Sequence, residues 1–341
     1  MPELRIFTPN DIAPLINKRP GEVKAGERIH CLNTPDNWPK ALYDQPQQFV
    51  LLGIPEDIGV RANGGIGGAH TAWPSFLKSF LNLQANVFFQ SENILLLGAF
   101  DVEDLPNLPT DDPELLRQQC AQIDDAVFPV IANIIAAGKI PIVIGGGHNN
   151  AFPLIKGSSL ALNRRLHAIN LDAHADYRSR EGRHSGNGFR YAKAENFLKR
   201  YSMLGLHEAY NNQDMIDEIQ HDEDLSAIWW EDVFLRTSIS WTDAIQQALS
   251  FVSSAPFGVE LDVDCIENVL SSAITPLGIS PQQAMTYLYA CGKHPNAVYL
   301  HLPEGVVQRR DGQMQPLTGK LLSYLVQAFL KGKWETMAKR G

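Results

Sequence analysis

The chain is poor in cysteine, in basic charge and in long apolar runs, and each shortage removes a class of function. Only four cysteines occur in 341 residues. Cys31, Cys120, Cys265 and Cys291 form no CxxC pair and no regular framework, which excludes both a thiolate zinc module and a disulfide scaffold. Their scarcity fits a reducing compartment, and the cytoplasm is the expected location. Acidic residues outnumber basic ones, 38 to 29, for a formal net charge of −9. No basic run offers nucleic-acid phosphates a complementary field. No stretch approaches the roughly 20 apolar residues of a membrane span, and the opening "MPELRIFTPN" has no apolar signal core. The expected partner is a small molecule, with no nucleic acid and no membrane involved.

What the sequence does contain is a series of short apolar runs. They cover 48–54, 93–100, 140–147, 166–174, 202–208, 225–233, 256–264 and 296–304. Each is continuous rather than alternating, as expected of strands buried on both faces of a parallel sheet. Between them lie segments with helical spacing: 72–83, 113–137, 151–162, 240–254, 281–291 and 316–331. Pro113 suits a first helical turn and Gly138 supplies a stop. Alternation of strand and helix predicts an α/β fold with a mostly parallel sheet and helices on both faces. Residues 1–47, rich in proline and polar residues, are expected to form an irregular N-terminal extension on a single catalytic domain, 48–341.

Polar residues collect where three of the predicted strands end. "IPIVIGGGHNN" ends in His148, "INLDAHADYR" supplies Asp172, His174 and Asp176, and "FGVELDVDCIE" supplies Asp262 and Asp264. Residues two apart on a strand share a face, so each set can converge on one point. In open α/β sheets that point lies at the carboxyl edge, where ligands bind. Four aspartates crowded there would repel and raise one another's pKa values, and two divalent cations would relieve the conflict. Oxygen-rich ligands with two imidazoles and no thiolate favour Mn²⁺, although other divalent transition metals compete. Such a pair activates water, so hydrolysis is the expected reaction. The glycine-rich stretches "RANGGIGGAH" (61–70) and 145–147 both miss the dinucleotide fingerprint, because His70 and Asn150 stand at the third glycine position. They read instead as tight loops over a site.

The ordered set "GGGH" (145–148), "DAHAD" (172–176) and "DVD" (262–264), with "GIPEDIGVRANGGIGGAH" (53–70) before them, resembles the ureohydrolase superfamily of arginase, agmatinase and formimidoylglutamase. The resemblance implies an arginase-like three-layer α/β/α sandwich with eight parallel strands, assembled as trimers or hexamers. It also implies two Mn²⁺ ions per chain, held by His148, Asp172, His174, Asp176, Asp262 and Asp264, and hydrolysis of a linear amidine or guanidine. Asp176 then counts among the catalytic residues as well as the ligands. In the following stretch, "GRHSGNGFRYA" (182–192), His184 becomes a candidate proton shuttle. Ser185, Asn187 and Arg190 become candidate substrate contacts. Gly147 stands where arginase and agmatinase carry aspartate, as in formimidoylglutamases. Glu260 replaces a family serine, and His301 occupies the position of the glutamate that grips a guanidinium, with Glu304 displaced. His301 is thus a further substrate-binding candidate. Without an acidic clamp a guanidinium loses a charge-assisted contact of about 1.5–3 kcal/mol. The resemblance therefore favours N-formimidoyl-L-glutamate over arginine or agmatine, with a non-catalytic ligand-binding member as the other alternative.

Overall fold

The computed structural model describes residues 2–33, 36–102 and 110–338; the outermost positions of the two expected segments, 1 and 339–341, lie outside the described residues. One nine-stranded sheet forms the middle layer. Its strands are β1 (Glu3–Ile6), β2 (Phe49–Gly53), β3 (Ile94–Asp101), β4 (Ile140–Ile144), β5 (Leu166–Leu171), β6 (Leu198–Leu206), β7 (Leu225–Trp229), β8 (Phe257–Leu261) and β9 (Ala297–Leu302). Their spatial order is β1-β3-β2-β4-β9-β8-β5-β6-β7. Eight of them, β2 to β9, correspond to the eight apolar runs and pair in parallel. The ninth corrects two expectations, the strand count and the irregular extension. β1 lies within residues 1–47 and pairs antiparallel to β3. An edge strand of four residues alternating between exposed and half-buried positions carries no continuous apolar run to reveal it.

Strand pleating feeds two cores. In β2, Phe49 and Leu51 face one layer and Val50 and Leu52 the other. The first layer is closed by the helices Ala72–Leu81, Trp241–Val252, Pro281–Gly292 and Thr318–Ala338. The second is closed by Pro113–Ala136 and Ala151–Leu162. The α/β/α sandwich follows because the central parallel strands are apolar on both faces and both must be covered. The helix Pro113–Ala136 starts where Asp112 accepts a hydrogen bond from Glu114 N, with proline at the first turn. Just past its end Gly138 takes a left-handed φ of 74°. No helix among the described residues is long and apolar enough to cross a membrane.

The strand order also locates the site. β4 and β5, adjacent in sequence among the strands, are separated in space by β9 and β8. A crevice therefore opens at the carboxyl ends of these central strands, where successive connections diverge.

Candidate functional site

Three glycines turn the chain sharply after β4, two of them, Gly145 and Gly146, with φ of 85° and 76°. A Cβ on Gly146 would lie 2.4 Å from Asn150 Nδ2 and 2.8 Å from Glu56 Oε1, so this turn has no room for a side chain. Two buried carboxylates clamp it. Glu56 Oε1 accepts from Gly147 N at 2.7 Å and Asn150 Nδ2 at 2.7 Å, and Glu304 Oε1 accepts from His148 N at 3.0 Å. His148 is thereby presented over the ends of β5 and β8.

All six sequence-predicted ligands meet there. His148 Nδ1 lies 2.8 Å from Asp176 Oδ2, 3.1 Å from Asp262 Oδ2 and 3.3 Å from Asp172 Oδ2. His174 Nδ1 lies 3.2 Å from Asp264 Oδ2 and 3.5 Å from Asp172 Oδ1. Asp172 thus offers one oxygen to each group. Within each group the candidate ligand atoms lie no more than 4.8 Å apart. Asp176 adopts a left-handed φ of 46° and Glu304 one of 63°, strain that clusters at functional sites.

The electrostatics of the cluster call for positive charge. Burial opposes a charged imidazole at His148, yet Asp172, Asp176 and Asp262 outweigh it and hold its pKa well above the usual value. Burial, reinforced by Asp264 and Asp172, pushes the Asp262 carboxyl well up. Burial and the neighbouring Asp172 push Asp176 up to about 6. Both ring nitrogens of His148 and Oδ1 of Asp264 are buried without a hydrogen-bond partner. Such orphaned donors and acceptors are costly, and divalent cations fit the oxygen-rich set they form.

Behind His148 sits a network that the motifs did not reveal. Glu260 Oε2 accepts from His301 Nδ1 at 2.6 Å and faces His148 Nε2 at 3.5 Å, while Oε1 accepts from the Tyr299 hydroxyl at 2.6 Å. Glu260 and His301 are register partners on β8 and β9, and both are fully buried. Charge from two imidazoles, His301 foremost, outweighs burial and holds the Glu260 carboxyl down at about 2. A carboxylate on the far nitrogen orients a metal-binding histidine and fixes its tautomer. The visible signal was the departure from family pattern at exactly these two positions on neighbouring strands, Glu260 and His301.

A cavity of about 190 Å³ opens onto the cluster. Asp176, Asp262, Asp264 and Glu304 line its floor, and Asn63, Arg178 and Ser185 contribute to its wall. A larger cavity of about 640 Å³ beside Trp73 and Arg61 contains none of the six ligands, so chemistry rather than size selects the site.

The remaining sequence candidates divide. Ser185 reaches the cavity, where its Oγ accepts from Asn63 Nδ2 at 3.3 Å. Asn187 is consumed internally, taking Arg183 Nη1 at 2.7 Å and giving Nδ2 to Gly182 O at 2.8 Å. Arg190 points away, forked onto Glu218 at 2.6 Å through both terminal nitrogens and lying 4.0 Å over the Tyr177 ring. His184 is fully buried, with Nδ1 accepting from Gly186 N at 3.1 Å and Nε2 3.2 Å from Glu181 Oε1. Burial, aided by the Arg178 charge, pushes His184 down to about 4. In its neutral form the ring keeps a proton on Nε2, facing Glu181, while Nδ1 holds the loop through Gly186 N, and the side chain is not among those lining the cavity. His301 does not line the cavity either; it serves Glu260. The cation that does line the cavity is Arg178, in the DAHADYR stretch but not singled out by sequence.

Comparison with known proteins agrees with this architecture. The chain is 28% identical over 295 residues to formimidoylglutamase of Streptococcus pyogenes serotype M3, covering 82% of this chain and 84% of that one. Formimidoylglutamase of Aromatoleum aromaticum is 30% identical over 183 residues, about half of each chain at 51%. Among solved structures, Trypanosoma cruzi formiminoglutamase with Mn²⁺ superposes with a TM-score of 0.72 at 19% identity, covering 91% of this chain and 98% of that one. The Bacillus subtilis formimidoylglutamase gives a TM-score of 0.75 at 16% identity, covering 94% and 95%. The model of the arginase family matches residues 47–305, a span that includes the glycine turn, all six clustered ligands and Glu304; the chain belongs to the arginase family.

Proposed function

We propose that the chain hydrolyses the C–N bond of a linear amidine at a pair of manganese ions, with N-formimidoyl-L-glutamate as substrate and glutamate and formamide as products. The observation that carries this reading is a six-ligand cluster at the floor of a cavity whose wall holds an arginine. His148, Asp172, Asp176 and Asp262 would hold one ion, and Asp172, His174 and Asp264 the other. Bound there, two divalent ions lower the pKa of water and polarise the carbon under attack.

The chain's own residues bind and orient. Arg178 is half-exposed and held by Asn63 Oδ1 at 2.8 Å and Glu181 Oε1 at 3.1 Å. Its guanidinium can give a substrate carboxylate the charge-assisted contact once expected of Arg190. Ser185 adds a hydroxyl beside it. At the floor, Glu304 accepts from His148 N and Ser272 Oγ. A carboxylate has about four acceptor sites, so capacity remains for an amidine N–H. Tyr210 stacks on His174 at 5.3 Å and fixes its ring plane. Water adds at the amidine carbon and the bond to the glutamate nitrogen breaks. That nitrogen gains a proton and leaves as the amine of glutamate, while the carbon departs as formamide.

A guanidine substrate is less well served, because His301 stands at the position of the gripping glutamate and is bonded to Glu260 outside the cavity. Manganese-loaded protein offered formimidoylglutamate, agmatine and arginine in parallel should release formamide from the first. Urea from either guanidine without formamide would overturn the assignment. So would tight substrate binding that survives chelation with no turnover, which would identify a non-catalytic binding protein.

A further inference from the structure

The chain is acidic overall, with a formal net charge of −9, yet folding gathers four of its cations into one cleft. Arg164 and Arg165 immediately precede β5, Lys199 and Arg200 open β6, and Ser254 and Ala255 precede β8. The amino ends of three neighbouring strands therefore surround a single opening of about 300 Å³. β5 runs six residues from this cleft to the metal cluster. At ~3.3 Å per residue the two sites stand about 20 Å apart, on opposite edges of the sheet.

The charge in the cleft is poorly compensated. Among the described residues one carboxylate comes within ion-pair distance of the four cations, Asp224 at 3.8 Å from Arg200 Nε. The other fixed partners are neutral. Arg165 Nη1 donates to Asn196 Oδ1 at 3.3 Å. Arg200 Nη1 donates to Phe251 O at 3.1 Å, and the guanidinium lies 5.2 Å over the Phe251 ring. These contacts orient the guanidinium groups and leave their charge in place. Arg200 Nε is shielded from solvent and has no hydrogen-bond partner. His167, in the same lining, is buried and engages the Val252 carbonyl through Nδ1 at 2.7 Å.

Cations that line one opening with a single carboxylate in ion-pair reach give it a positive potential that favours an anion. Ala255 is the one apolar residue in the lining, so the cleft offers no grip on a hydrophobic body, unlike the mostly apolar pockets that hold drug-sized ligands. Arginine forks and a lysine point charge suit a compact tetrahedral oxyanion bearing two charges. We propose that this cleft binds the phosphate group of a small soluble anion, at a site separate from the metal centre.

Free phosphate and a phosphate carried on a small metabolite share this chemistry, and the test distinguishes them. Manganese-loaded protein is titrated calorimetrically with inorganic phosphate and, separately, with glycerol phosphate. The wild type is compared with the Arg164→Ala/Lys199→Ala double variant. The wild type should show one saturable site per chain that weakens as salt rises. The double variant should bind at least about tenfold more weakly, while its amidine hydrolysis in phosphate-free buffer stays unchanged. Tighter binding of glycerol phosphate would identify a carried phosphate, and tighter binding of inorganic phosphate a free one. Should the double variant fold poorly, Arg164→Gln alone, at an exposed position, should still weaken binding by about threefold. Absence of saturable uptake at millimolar phosphate would overturn the proposal. So would binding that both variants leave intact, since phosphate would then sit elsewhere, on the metals for instance.

Discussion

Replacing Glu260 by glutamine isolates the contribution of the buried carboxylate behind His148. Two donors hold its two oxygens, Tyr299 on Oε1 at 2.6 Å and His301 Nδ1 on Oε2 at 2.6 Å, while His148 Nε2 faces Oε2 at 3.5 Å without a hydrogen bond. A glutamine can turn its carbonyl to the two imidazoles and its amide to Tyr299, whose hydroxyl rotates from donor to acceptor. The fold should therefore survive, and what is lost is the charge. Loss of an outer-shell partner to a metal-bound histidine costs about 10- to 100-fold in metal affinity. That is about 1.4–2.7 kcal/mol. The 3.5 Å separation at His148 places the expectation toward the lower end. The assay is a manganese titration followed by the paramagnetic resonance of free Mn²⁺, with chemical denaturation of metal-free protein run beside it. Metal affinity within about threefold of wild type, in a variant that folds normally, would refute the claim that Glu260 orients His148 for a metal.

Three further outcomes test other parts of the structure. Arg178→Ala should raise KM for formimidoylglutamate about tenfold with little change in kcat, the low end of a charge-assisted contact because this side chain is half-exposed; a fall in kcat alone would contradict a binding role. His184, with a folded pKa pushed down to about 4, binds fewer protons in the native than in the unfolded chain between pH 4 and 6.5. Its contribution is thus intact above pH 6.5 and is lost as the pH falls toward 4. His184→Asn should lessen the acid sensitivity of metal-free protein by about 1–3 kcal/mol in urea titrations, and an unchanged pH slope would show that the burial is inconsequential. Arg183 anchors the cavity loop through Asp124, with Nε to Oδ2 at 2.7 Å, both side chains being buried. Asp124→Ala strands that guanidinium and should cost about 3–5 kcal/mol in denaturant stability.

The six clustered ligands were legible because each lies within a few residues past a strand end; the strand period itself does not aim them, since all six sit in the loops and short turns beyond β4, β5 and β8, with Asp176 left-handed and Asp264 in a single 3-10 turn. Strands β2 to β9 were legible for a related reason, since burial on both faces leaves unbroken apolar runs. β1 escaped notice as a short, half-exposed edge. Arg190 and Asn187 have residue types suited to carboxylate and amide recognition, but Glu218 and Arg183, distant or unpredictable in direction, captured them.

By itself the sequence determined the alternation of elements, the apolar faces of the sheet and the metal-type residues at its carboxyl edge, because these depend on local pattern. Only the tertiary structure decided which second carboxylate supports His148, which arginine faces the cavity, and that two separated basic dipeptides share one cleft. Those assignments depend on which strands lie side by side, and strand order is set by the packing of the whole sheet rather than by any one segment.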